Sequence, residues 1–140
     1  MMKRTFLFFV CFMLLAGTYA QTGHFFPSYR FSNSAISSIC QDAQGSLWIG
    51  TDYGLNRFDG YHFQTFLHDD ADTTSLKSNA VVSLLCDREG NLWVGTNRSL
   101  DRFDAAREAF VHYVFPDHLQ PRVSCILQQR DGSVLVGTAG

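Results

Sequence analysis

The stretches QDAQGSLWIGT at residues 41–51 and CDREGNLWVGT at 86–96 are two copies of one pattern, and QQRDGSVLVGT at 128–138 is a weaker third. With an offset of 45 residues, eleven of the twenty-two positions from Ser38 to Asp59 are identical to those from Ser83 to Asp104. The identities combine turn formers (Asp42, Gly45, Gly50) with large apolar residues (Leu47, Trp48, Phe58). The third copy is offset by 42 residues and keeps Gly132 and Gly137, but replaces Trp93 by Leu135 and Asp87 by Gln129. Repetition at this period marks a stacked or radial architecture, built by packing one supersecondary unit against the next.

Each copy divides into four short strand-like runs separated by turn signals. The first copy predicts strands at 36–41, 47–51, 55–58 and 62–66, and the second at 81–86, 92–96, 100–103 and 109–115. Asp42 and Asp87 open four-residue segments that close on Gly45 and Gly90, the residue preference of a tight type I turn. Such hairpins require antiparallel neighbours, which favours radial blades over the parallel rungs of a β-solenoid. Leu47-Trp48-Ile49, Leu92-Trp93-Val94 and Val134-Leu135-Val136 are apolar at consecutive positions, so both faces of each sheet must be covered. A four-stranded blade between two other blades meets that demand. Gly50, Gly95 and Gly137 follow at equivalent places, as close backbone approach or a bulge requires. The expected fold is all-β: a partial β-propeller of about two and a half four-stranded antiparallel blades behind an amino-terminal signal peptide.

Lys3 and Arg4 precede an uncharged apolar run from Phe6 to Ala16, and Thr18 and Ala20 supply small residues for cleavage. This reads as a secretory signal over 1–20, because the apolar run is short for a membrane span. A lead-in at 21–35, a first blade repeat at 36–77, a second at 78–121 and an incomplete third at 122–140 follow. Without the leader, thirteen acidic residues face nine basic ones, a net charge of minus four. The basic residues form no stripe interleaved with aromatics, so no nucleic-acid contact is expected of this segment. Beyond the leader, Cys40, Cys86 and Cys125 fall at different positions within their repeats. That irregularity argues against a disulfide framework and for small core residues.

The run ISSICQDAQGSLWIGTDYGLNRFD from Ile36 to Asp59 resembles the two-component regulator propeller repeat of periplasmic sensor regions in Bacteroidetes hybrid two-component systems. SNAVVSLLCDREGNLWVGTNRSLDRFD from Ser78 resembles it equally, and the linker HDDADTTSL before it does so too. The resemblance implies a signal sequence, two seven-bladed propellers, an immunoglobulin-like sandwich, a transmembrane helix, a histidine kinase, a receiver and a DNA-binding domain. It further implies glycan sensing that controls polysaccharide utilisation, and a homodimeric receptor. On that resemblance the chain is the amino-terminal fragment of a longer sensor, and its partners are the remaining propeller blades and an oligosaccharide. A secreted propeller lectin or hydrolase without a signalling module is the alternative, and a fragment without independent function a third reading.

No catalytic constellation emerges from the residues, and no cofactor or metal is expected. The histidines have no zinc-motif spacing, and Asp69, Asp70 and Asp72 lack the ordered ligand positions of a calcium loop. Asp42, Asp59, Asp87 and Asp104 recur as turn geometry requires in every blade, whereas a catalytic pair would be singular. Trp48 and Trp93 recur too, and read as blade-to-blade packing rather than sugar stacking. The repeat framework is therefore Asp42, Gly45, Trp48, Gly50, Asp87, Gly90, Trp93, Gly95, Gly132 and Gly137. What differs between copies is the better candidate for binding: Asp52-Tyr53 against Asn97-Arg98, on the face shared with the interblade linker. His68 to Thr74 and Asp117 to Gln120 are expected near that face.

Overall fold

A computed structural model describes residues 32–116 and 121–139. The expected leader at 1–20, most of the lead-in and the Asp117–Gln120 segment lie outside the described residues. Ten strands among the described residues form three antiparallel sheets. The first sheet is β1 (Ile36–Gln41), β2 (Leu47–Thr51), β3 (Gly54–Phe58) and β4 (Phe63–Phe66), in that order. The second repeats it as β5 (Val81–Cys86), β6 (Leu92–Thr96), β7 (Leu100–Asp104) and β8 (Ala109–Tyr113). The third pairs β9 (Arg122–Gln128) with β10 (Val134–Ala139). The last strand of the second sheet ends at Tyr113, two residues before the predicted Phe115.

The hairpins between the first two strands of each sheet share one construction. Gly45 and Gly90 donate to the carbonyls of Asp42 and Asp87 at 3.0 and 3.1 Å, and Gly132 does the same to Gln129 at 3.2 Å. Each of these glycines has φ between 86° and 94°, where a side chain would be strained. The turn is thus a type I turn closed by a left-handed residue, which suits the twist of the flanking strands.

The sheets stack face to face, and two glycines set how closely. A Cβ on Gly50 would lie 2.6 Å from Cγ1 of Val81, and one on Gly95 would lie 2.5 Å from Cγ1 of Val123. Each glycine therefore receives the first apolar side chain of the next sheet's inner strand. The core straddles the first two sheets: Trp48, Leu55 and Phe66 from the first meet Leu84, Leu92, Phe103 and Phe110 from the second. Ring centroids lie 4.9 Å apart for Trp48 and Phe103, and 5.2 Å for Phe66 and Phe103 in an edge-on arrangement. Such aromatic contacts add about 0.5–1.5 kcal/mol each to the area they bury.

The consecutive apolar residues now have a physical reason. Trp48 faces the second sheet while Ile49 faces the other way, and both are buried, at 2% and 6% exposed. The far face of the third sheet meets no described sheet, and Leu127 and Leu135, paired across its two strands, are 61% and 48% exposed. No helix among the described residues is long and apolar enough to cross a membrane.

Candidate functional site

The turns between the second and third strands are held from inside by buried threonines. Thr51, fully buried, donates from Oγ1 to the Gly54 carbonyl at 3.0 Å and accepts from the Tyr53 amide at 3.1 Å. Thr96 is likewise fully buried and accepts from the Arg98 and Ser99 amides at 3.1 and 2.9 Å. The two variable residues at each tip, Asp52-Tyr53 and Asn97-Arg98, stand exposed on this fixed base.

Both turns converge on one short segment that leads into β5. The Gly54 amide donates to the Asn79 carbonyl at 2.7 Å, and the Asn97 amide to the Ala80 carbonyl at 3.0 Å. Ser78 Oγ donates to Oδ1 of Asn97 at 2.7 Å. The structure thus sets Tyr53, with 54% of its surface exposed, and Arg98 on either side of residues 78–80. The linker joins the same face: His68 donates from its amide to Oδ1 of Asn79 at 2.6 Å.

Beyond His68 the linker folds over the outer edge between β4 and β8, enclosing an open cleft of about 680 Å³. Phe66, Asp70, Asp72, Thr74, Glu108 and Phe110 contribute to its walls. The Asp52-Tyr53 and Asn97-Arg98 pairs do not line it. Asp69 and Asp72 spend their carboxylates locally, on the amides of Ala71 and Thr74 at 2.9 and 2.8 Å. The Thr74 hydroxyl and amide together hold the Asp72 carboxyl below the usual carboxylate range. No group of three metal-ligating side chains forms among the described residues.

Two side chains that the sequence reading passed over anchor the segments that lead into β1 and β5. Asn56 and Asp101 occupy equivalent positions and are fully buried. Asn56 Oδ1 accepts from the Ser32 amide at 3.3 Å and from Thr65 Oγ1 at 2.9 Å. Asp101 Oδ2 accepts from the Lys77 amide at 3.1 Å, while Oδ1 pairs with His112 Nδ1 at 2.8 Å. His112 in turn reaches the Thr73 carbonyl through Nε2 at 3.0 Å. The only sequence signal was a polar residue at a fixed inward position of each third strand.

The repeat residues sit between blades or in turns. Arg57 lies over the Trp48 ring at 5.5 Å and pairs with Glu108 of the second sheet at 3.0 Å, so it bridges two sheets. Arg102 donates to Asn91 at 3.2 Å within its own sheet. Cysteine needs a correction. Cys125 is exposed rather than a core residue, and Cys40 and Cys86 are half-buried with their sulfurs 2.7 Å apart. Their unequal positions in the repeat hid the meeting, because facing residues on adjacent sheets need not be repeat equivalents.

Residues 30–53 and 75–98 match the family model described as two component regulator propeller. A histidine kinase of Formosa agariphila is 42% identical over 52 residues, which span 37% of this chain and 4% of that protein. The extracellular domain of a candidate one-component system from B. thetaiotaomicron superposes with a TM-score of 0.70 at 22% identity, covering 82% of this chain and 16% of that one. Virginiamycin B lyase from Staphylococcus aureus superposes with a TM-score of 0.53 at 14% identity, covering 73% of this chain and 34% of the lyase. At those identities the two structural likenesses speak for the fold alone: propeller-type blades.

Proposed function

We propose, from the premise that this chain carries two-component regulator propeller repeats at 30–53 and 75–98, that it forms part of a periplasmic ligand-sensing propeller in a hybrid histidine kinase. The ligand in this reading is an oligosaccharide, and its recognition controls polysaccharide utilisation. Further blades complete the propeller, and two copies of the receptor pair. The chain binds rather than catalyses, and the kinase belongs to the longer protein.

One observation carries the reading. Among the residues that differ between the repeats, Asp52-Tyr53 and Asn97-Arg98 project from hydrogen-bonded turns onto one face around residues 78–80. Rigid turns with exchangeable tips are what a binding scaffold needs. Tyr53 offers an aromatic face to the apolar face of a sugar ring, and Arg98, Asp52 and Asn97 offer donors and acceptors for hydroxyl groups. Binding passes on as a signal only if the ligand favours one arrangement of the receptor over another.

A glycan array probed with the purified chain tests this. Selective retention of one oligosaccharide class, lost in Tyr53→Ala and Arg98→Ala, supports it. Absence of any selective binding would remove the glycan assignment and leave the blades as a scaffold.

A further inference from the structure

We propose that Cys40 and Cys86 form a disulfide that joins the first blade covalently to the second. In this structure both are thiols, with Sγ atoms 2.7 Å apart. A disulfide holds its sulfurs at about 2.05 Å, so a movement of under an ångström makes the bond.

The approach belongs to an ordered seam between the inner strands β1 and β5. These strands lie in separately hydrogen-bonded sheets, so no backbone ladder joins them. Side chains do. Ser37 Oγ donates to the Val81 carbonyl at 2.7 Å, and the Leu84 amide donates to Ser38 Oγ at 3.1 Å. Two residues further along each strand, on the same faces as Ser38 and Leu84, come Cys40 and Cys86. The seam therefore fixes the register that brings the sulfurs together. Repetition does not extend the bridge to other blades, because the repeat equivalents of Cys40 are Leu85 and Leu127.

The pair is also disposed to react. The hydrogen bond between the two sulfurs holds the Cys86 thiol below its ordinary value and pushes that of Cys40 up. Cys86 is thus the first thiolate of the pair. The oxidant required is a reactive disulfide, either small, such as oxidised glutathione, or that of a protein dithiol oxidant. The Cys86 thiolate attacks one of its sulfurs, forming a mixed disulfide and expelling the other as thiolate. Cys40 then loses its proton and attacks Cys86 Sγ, expelling the second oxidant thiolate. Two thiols become one disulfide, and the oxidant takes up two electrons and two protons. Both cysteines are only half-buried, which leaves the sulfurs within reach of an exchange partner. The bridge stands on the packing of two sheets and does not depend on the ligand reading.

The test uses the full chain, equilibrated in glutathione buffer of oxidising composition, blocked with iodoacetamide and mapped by tryptic mass spectrometry. The expected result is a Cys40–Cys86 linked peptide, lighter by two hydrogens than its reduced parts, with Cys125 alkylated. Reduction should then lower the folded-to-unfolded ratio roughly a thousandfold, the order expected for a closed loop of this length. The Cys40→Ser/Cys86→Ser variant should be indifferent to reductant. Alkylation of Cys40 and Cys86 as complete as that of Cys125 would overturn the proposal. Linkages spread comparably over pairings with Cys125 or Cys11 would overturn it as well.

Discussion

The indole Nε1–H of Trp48 donates to Oδ2 of Asp42 across 2.8 Å, and Trp93 makes the same 2.8 Å bond to Asp87. The carboxylate that starts each hairpin turn thus also orients the large side chain that packs between blades. The third copy lacks both partners together, with Gln129 and Leu135 in their places. An indole without an acceptor, or a buried carboxylate without a donor, is costly, so the two residues stand or fall as a unit. Trp48→Ala should cost about 3–5 kcal/mol in urea denaturation, the range for deleting a buried aromatic. Trp93→Ala should cost less, since Trp93 faces a sheet of two described strands and is only half-buried.

Asp87 gives this unit a pH dependence. Burial works against its charged form, but hydrogen bonds from Trp93 and Asn91 outweigh it and leave the carboxyl below the ordinary value. A depressed folded value means that the stabilisation is complete above the unfolded carboxyl's pKa, about 3.9, and is lost as pH falls through the folded one. Asp87→Asn should flatten the stability profile below about pH 4 relative to the native chain, measured by denaturation at stepped pH.

Gly50 and Val81 form a matched pair across the first interface. Gly50→Ala should destabilise by about 1–3 kcal/mol, the usual cost of forcing a methyl into a filled site. Val81→Ala in the same chain should recover part of that loss, and the double-mutant cycle in urea measures the coupling.

Much of the fold was legible because hairpin chemistry and repeat period are local. Asp42 to Gly45 announces its turn within four residues, and the paired Leu-Trp-aliphatic runs demand cover on two faces. Contacts between sheets were harder to read. Gly50 reads only as a bulge or close approach until Val81 is set against it. Cys40 and Cys86 meet at a separation of 46 residues while the repeat period is 45, so a search for equivalent cysteines could not find them. The anchors of the segments before β1 and β5 were hidden for another reason. Asn56 and Asp101 differ in charge, and their common task, fixing the amides of Ser32 and Lys77, depends on burial that a single sequence does not display.

Asp101 and His112 make a sharper test of that anchoring. His112→Leu leaves the fully buried Asp101 without its ring partner, and should cost about 1–3 kcal/mol, the penalty for leaving a buried polar group unsatisfied. The double change Asp101→Asn/His112→Thr reproduces the Asn56–Thr65 arrangement of the first blade, and should recover most of the loss in thermal denaturation.

The central claim is that ligand meets the chain on the face of the Asp52-Tyr53 and Asn97-Arg98 turns. Amide chemical-shift mapping by NMR during titration with an oligosaccharide selected on the array tests it most directly. The account predicts shifts concentrated at residues 52–54, 78–80 and 97–99, extending into the linker at 67–75. Shifts confined to the opposite hairpins, at 42–46 and 87–91, would contradict it.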